Sequence, residues 1–316
     1  MKFGLWVTAH FPESISATQW YDYLVEQVLF AKQAGFGLIS SGQHYLTAPN
    51  QRLQTLPLLA RLSAESEGME VATSVLLLPL HNPTDIAEQA ATMDVITGGR
   101  FILGLGMGRQ GVEYQAFGVD SRWIVSRYEE SLDIILKLWG GGSVKHDGRF
   151  FAVPETESKI RFIQQPHPRI WLGGGSEAPI NRAARYGFAW FPGGGNVDSI
   201  AEHRAFHLAS LAEYGNTVPP DFPIGMWVYL HESQETAIEE AHYHLGSNLS
   251  LGEFREHAAR NLIVGTPEFC VERVREYQER LGVTHLLCRL QAPGMGQEQV
   301  LRTIRLLGEA VIPNIE

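Results

Sequence analysis

Three groups of residues in this 316-residue chain have the types and spacing to do chemistry. In "GLISSGQHY" an apolar run gives out just before His44. Imidazole titrates near neutral pH, so a histidine at a strand's C-terminal end can take and return a proton. In "WLGGGSEAPINRAA" the residues Gly173, Gly174, Gly175 and Ser176 lie between an apolar run and a helical pattern. Free backbone N–H groups and the helix dipole favour an anion there, and Ser176 adds a hydroxyl. Ser176 also suits a helix N-cap, and the two roles are compatible. In "GLGMGRQG", Gly106, Gly108 and Gly111 have the G-x-G-x-x-G spacing of a dinucleotide turn.

That fingerprint needs a strand before it, a helix directly after it, and an acidic residue closing the next strand. "RFILGL" meets the first requirement. "VEYQAFGVDSRW" brings another glycine and no helical period until after Asp120, and Asp133 falls inside a helical pattern. A nicotinamide dinucleotide site is therefore not expected. Gly104, Gly106 and Gly108 retain two readings: open approach for a flat ligand, or close packing between strands. Trp6, Trp190, Phe191 and Trp227 lie on strand candidates and either fill the core or line a pocket. His203 and His207 stand at i, i+4 without the glutamate of a zinc helix, His242 and His244 diverge, and Cys270 and Cys288 fit no ligand spacing. No metal site is expected.

The elements that must position these groups alternate along the chain. Strand candidates are "KFGLWV", "GLIS", "EVATSVLLL", "FILGL", "RIWLGG", "FAWFP", "IGMWVYL" and "HLLCRL". Helical patterns run over 18–34, 53–67, 85–96, 127–139, 180–186, 199–214, 234–244 and 268–281, with an extra C-terminal helix over 297–311. Nearly continuous apolar strands between helices predict a parallel sheet buried on both faces. Eight units in this length predict a (β/α)8 TIM barrel, one domain over 1–316, with the site at the strands' C-terminal rim. An open doubly wound sheet is the alternative. The segment 140–168 reads as an insertion before strand 5, with a hairpin turning at Asp147-Gly148. A lid of helices is expected within 231–264. The net charge of −10, without a basic cluster, argues against nucleic acid and an anionic membrane surface. No apolar run approaches the roughly 20 residues of a spanning helix. "MKFGLWVTAH" reads as a strand rather than a signal peptide, and two unpaired thiols suit the cytoplasm.

Over 73–120, "TSVLLLPLHNPTDIAEQAATMDVITGGRFILGLGMGRQGVEYQAFGVD" resembles the bacterial luciferase-like flavin monooxygenases. The resemblance rests on ordered pieces: a strand ending in "LP", then "HNP", then "MDVITGGR", a strand ending in "GLGMG", then a glutamate and "FG". "PRIWLGGGSEAPINRAARYGFAW" and "GTPEFCVERVREYQERLGVTHLLC" extend it to about Leu290. It implies a TIM barrel and an FMN-dependent monooxygenase. A separate flavin reductase would supply reduced FMN, O2 would be the oxidant, and the chain would form a homodimer. The substrate would be a small aldehyde, ketone, alkane or terpene. It also implies the site. His44 would move the proton. A non-prolyl cis peptide at Ser74-Val75 would lie behind the flavin ring, with Gly106 and Met107 beside it. Gly174, Gly175 and Ser176 would hold the phosphate.

Three positions depart from the family pattern. Gln43 replaces the acid that commonly precedes the histidine and leaves His44 without that carboxylate. Asn82 stands where many relatives have histidine; with His81 it is a weaker pocket candidate. Met107 replaces an arginine of some relatives, and Arg109 is the nearby cation that could substitute. Two alternatives remain: a deazaflavin F420-dependent hydride-transfer enzyme, whose acidic cofactor tail would favour a basic channel that the glycine strand ends do not display, and a flavin-binding relative without turnover.

Overall fold

The computed structural model describes residues 1–108, 111–246, 248–292 and 294–315. The eight apolar runs form parallel strands β1 (Lys2–Trp6), β2 (Leu38–Ser41), β3 (Glu70–Thr73), β4 (Phe101–Gly106), β5 (Arg169–Gly173), β6 (Ala189–Phe191), β7 (Pro223–Leu230) and β8 (His285–Arg289). Around them lie α1 (Ala17–Gln33), α2 (Thr55–Leu62), α3 (Pro83–Ile96), α4 (Ile124–Trp139), α5 (Glu177–Tyr186), α6 (Val197–Glu213), α7 (Pro267–Leu281) and α8 (Gln297–Leu306). Local chemistry sets the boundaries. Asn82 accepts from Thr84 N and Thr266 from Phe269 N, each before a proline that opens its helix. Gly187 and Gly282 end α5 and α7 at φ 72° and 70°, a left-handed backbone that glycine adopts without strain. On α1, Trp20, Leu24, Val28 and Ala31 form the buried stripe; each fully buried Leu or Val contributes about 1.5–3 kcal/mol.

The strands pair in the order β6-β5-β4-β3-β2-β1-β8-β7, giving a curled parallel sheet. Among the described residues, β6 and β7 share no hydrogen-bonded ladder. The expected ring is therefore not closed by hydrogen bonds all round. Side chains fill the seam: a Cβ at Gly225 would lie 2.5 Å from the Trp6 ring and 3.5 Å from Phe191.

At the strands' N-terminal ends a polar cluster around the buried Glu70 spans the base. Glu70 opens β3 and binds Lys2 of β1 (2.6 Å), Arg169 of β5 (2.5 Å) and His285 of β8 (3.0 Å). Arg169 also pairs with Asp221, which accepts from the Trp171 indole. Burial pushes the Glu70 carboxyl up, but the bonds from His285 and Lys2 and the charge of Arg169 outweigh it and hold it at about 2.

Two expectations are corrected. The helix over 297–311 is not extra: α8 follows β8, packs on α1 and completes the helical ring, its last turn widening into a π-helix at Leu307–Val311. The additional elements lie after β7, where helices Gln234–Leu245 and Leu251–Asn261 precede an unforeseen strand, Ile263–Gly265, paired with Val228 to Leu230. None of the described residues over 231–264, where a lid was expected, lines the cleft. Residues 140–168 do contain a hairpin, Val144–Asp147 with Ala152–Thr156. Glu130 of α4 accepts the amides of Phe150 and Phe151 at its tip, so the hairpin climbs the outer wall.

Candidate active site

The C-terminal ends of the strands surround a cleft of about 1040 Å³. Its floor is the end of β3, where the Ser74-Val75 peptide is cis. The Val75 side chain wedges between neighbouring strands. A Cβ at Gly106 would lie 2.4 Å from Val75 Cγ2, and one at Gly104 only 1.9 Å from the Thr73 carbonyl. Close packing thus explains Gly104 and Gly106, although Gly106 and Met107 also face the cleft. Ser74 Oγ is buried there without a hydrogen-bond partner. Arg109 lies outside the described residues.

One end of the cleft is the β5–α5 turn. Gly174, Gly175 and Ser176 line it, and Ser176 occupies the N-cap position without a side-chain capping bond. Its hydroxyl therefore remains available beside amides that have no intrahelical acceptor. Trp190 is core rather than cleft wall; its indole donates to the Gly174 carbonyl (2.7 Å) and fixes this turn. Arg182, on α5, lines the same end and pairs with Glu129 at 2.8 Å.

His44 stands beyond β2 on another side of the cleft. Gln43 does not leave it without a carboxylate, because Glu113 supplies one from a different element. Glu113 Oε1 lies 3.2 Å from His44 Nδ1 and accepts the Tyr45 amide at 2.7 Å. With Nδ1–H donating to this carboxylate, Nε2 is left as the proton acceptor. Glu113 comes from a five-residue helix, Val112–Ala116, in a stretch where no helix was expected before Asp120. Its sequence signal was the glutamate of "VEYQAFG", which a search confined to strand ends passes over. Gln43 instead accepts from Leu77 N (3.1 Å), lies 2.7 Å from His81 Nε2 and donates to Tyr45 Oη (3.0 Å). It is a buried joint beneath the site.

His81 and Asn82 do not line the cleft; Asn82 caps α3, and burial lowers the His81 pKa. Trp6, Phe191 and Trp227 do line it. So do three cations and a histidine that strand-end reasoning left out: Arg182, Arg52, Arg289 and His10. Burial, then the charges of Arg52, Arg289 and His44, depress His10 to about 4, so it is neutral at physiological pH. Among the described residues, no three His, Cys, Asp or Glu side chains are placed to hold a metal ion, and no helix is long and apolar enough to cross a membrane.

The luciferase-like monooxygenase family model matches residues 1–285. The oxygenase component of a flavin-dependent trigonelline monooxygenase from Acinetobacter baylyi is 30% identical over 54% of this chain and 48% of its own length. An F420-dependent glucose-6-phosphate dehydrogenase from Microbacterium testaceum is 26% identical over 92% of this chain and 93% of its own. The oxygenating constituent of 3,6-diketocamphane monooxygenase from the CAM plasmid of Pseudomonas putida, a type II Baeyer–Villiger monooxygenase solved with FMN, shares the fold. Its TM-score is 0.84 over 100% of this chain and 99% of that one, at 17% identity. The chain belongs to the luciferase-like monooxygenase family.

Proposed function

We propose that this chain is a single-domain, cytoplasmic, FMN-dependent monooxygenase on a (β/α)8 barrel. It acts as the oxygenase half of a two-component system, receives reduced FMN from a separate reductase, and places one atom of O2 in a small organic substrate. The observation that carries this reading is the His44–Glu113 pair beside a floor with a buried, unpartnered Ser74 Oγ. A flat polar ligand would satisfy that hydroxyl, so the residues present fit a flavin. Its phosphate would rest on Gly174, Gly175 and Ser176, and its ring over Ser74, Val75, Gly106 and Met107. Reduced flavin, when bound, supplies the electrons that activate O2. The chain supplies the rest: Glu113 orients His44, His44 Nε2 holds or moves the proton, and Trp6, Phe191 and Trp227 exclude water. The named trigonelline relative is itself an oxygenase component, which supports a reductase partner.

Anaerobic titration with FMNH2, followed by O2 and a substrate panel, tests the proposal. Stoichiometric binding and O2-dependent product are expected. Turnover with NADH alone would refute the two-component version. Hydride transfer to F420 is the second reading, favoured by the F420-dependent relative. Against it, the cation at the β5 end of the cleft, Arg182, already pairs with Glu129. The absorbance of the bound cofactor separates the two. Homodimerisation is expected from sedimentation. A relative without turnover loses its main support, because Glu113 provides the carboxylate that Gln43 cannot.

A further inference from the structure

We infer that the substrate carries a carboxylate attached to a flat apolar body, and that Arg289 and Arg52 bind it. This rests on the flavin reading for the chemistry but not for the binding. Three adjacent strands place Trp227, Arg289 and Trp6 in direct register, β7 to β8 to β1. Parallel neighbours in register project to one face of a sheet, here the cleft. The Arg289 guanidinium accordingly lies 3.8 Å from the Trp6 ring centre and 5.7 Å from that of Trp227. Stacking on aromatic faces orients the planar fork, a geometry suited to a carboxylate and unavailable to lysine.

Arg52 enters from the short strand Gln51–Arg52, paired with His10–Phe11. Its Nη2 donates to the Gly42 carbonyl at 2.5 Å, while its Nε is buried without a partner. His10 lies within the influence of both guanidinium groups and is neutral, so it adds a hydrogen-bonding group without charge. Among the described residues, no Asp or Glu lines the cleft. Glu113, the carboxylate that acts on Arg52, is engaged by the Tyr45 amide and His44.

Position separates this pole from the cofactor's. β1 lies four strands round the sheet from β5. The phosphate cradle and the Arg52–Arg289 pole therefore face each other across the cleft. A flavin mononucleotide has one phosphate, so the second pole has no cofactor anion to serve. A carboxylate entering this pole would satisfy the buried, unpartnered Arg52 Nε and bring a negative charge to both guanidinium groups. The tryptophans beside the fork accept the flat body to which that anion is attached.

Phenylacetate and its neutral isostere phenylacetamide serve as probes. Binding to the FMN-loaded protein is read from the flavin absorbance, and binding to the flavin-free protein from tryptophan fluorescence. Phenylacetate is expected to bind at least about tenfold more tightly than the amide, since a charged hydrogen bond is worth about 1.5–3 kcal/mol. Arg289→Met and Arg52→Met should each remove most of that preference, and Arg289→Lys should retain part of it. FMN affinity should stay unchanged in all three, which also reports correct folding. Equal affinity for the two probes, binding of neither, or a preference that survives both methionine variants overturns the inference. If FMN fails to bind while the flavin-free protein still prefers phenylacetate, the flavin reading falls and this one stands. If FMN binds and no preference is seen, this one alone falls.

Discussion

Replacing Glu113 by glutamine tests whether His44 depends on a partner outside its own strand. The amide oxygen can still accept the Tyr45 amide, now 2.7 Å from Glu113 Oε1, so the local fold is kept. The remaining NH2 then takes the place of Oε2, which stands 3.4 Å from His44 Nδ1 today. Two donors cannot face each other, so Nδ1 must become the acceptor and Nε2 must carry the hydrogen. The tautomer presented to the cleft is reversed. A hydrogen bond to a charged group is worth about 1.5–3 kcal/mol, and roughly 1.4 kcal/mol is tenfold in rate. Glu113→Gln should therefore slow the proton-dependent step about 10- to 150-fold. His44→Ala, which removes the group itself, should cost about 100- to 10,000-fold. The assay is stopped-flow mixing of the enzyme–FMNH2 complex with O2 across the neutral pH range, with FMN affinity and melting temperature measured alongside. Wild-type rates at every pH in a folded, FMN-binding Glu113→Gln protein would refute the reasoning.

Ser176→Ala should weaken FMN about 10- to 150-fold, the value of one hydrogen bond to a charged phosphate, while riboflavin affinity and stability stay unchanged because Ser176 makes no capping bond; equal losses for FMN and riboflavin would contradict it. Gly106→Ala would bring a Cβ 2.4 Å from Val75 Cγ2, so calorimetry should show about 1–3 kcal/mol of lost stability and titration a weaker flavin site. Glu70→Gln tests the base cluster. The folded carboxyl sits at about 2, below its ordinary 4.5, so its contribution is complete above the ordinary value and disappears as pH falls toward 2. Discounted for solvent screening, that is about 2 kcal/mol, and urea unfolding should show the gap between wild type and variant closing on acidification; a constant gap would refute the assignment.

Much of the architecture was legible because burial on both faces forces continuous apolar strands, and these recur eight times. The buried stripe of α1 and the prolines opening α3 and α7 were readable for the same reason: local chemistry decides them. Long-range pairing was not. Nothing local to "GQHY" announces that its carboxylate arrives 69 positions later. The register that sets Arg289 between two tryptophans exists only once three strands, distant in sequence, have paired. The two readings of Gly104 and Gly106 could not be separated either, because the atoms that would meet a Cβ belong to Thr73 and Val75 at the end of the neighbouring strand. The helix over 297–311 was misassigned by counting, since the chain spends three helices between β7 and β8 where a regular unit spends one.

The ionic knot formed by Glu70, Lys2, Arg169, Asp221 and His285 ties strand starts together at the end of the molecule remote from the cleft. The anchoring cluster and the cleft thus lie at opposite ends of the strands. Changes at distant sites combine almost additively, so the rim loops are free to diversify toward new molecules while the foundation beneath them is left untouched.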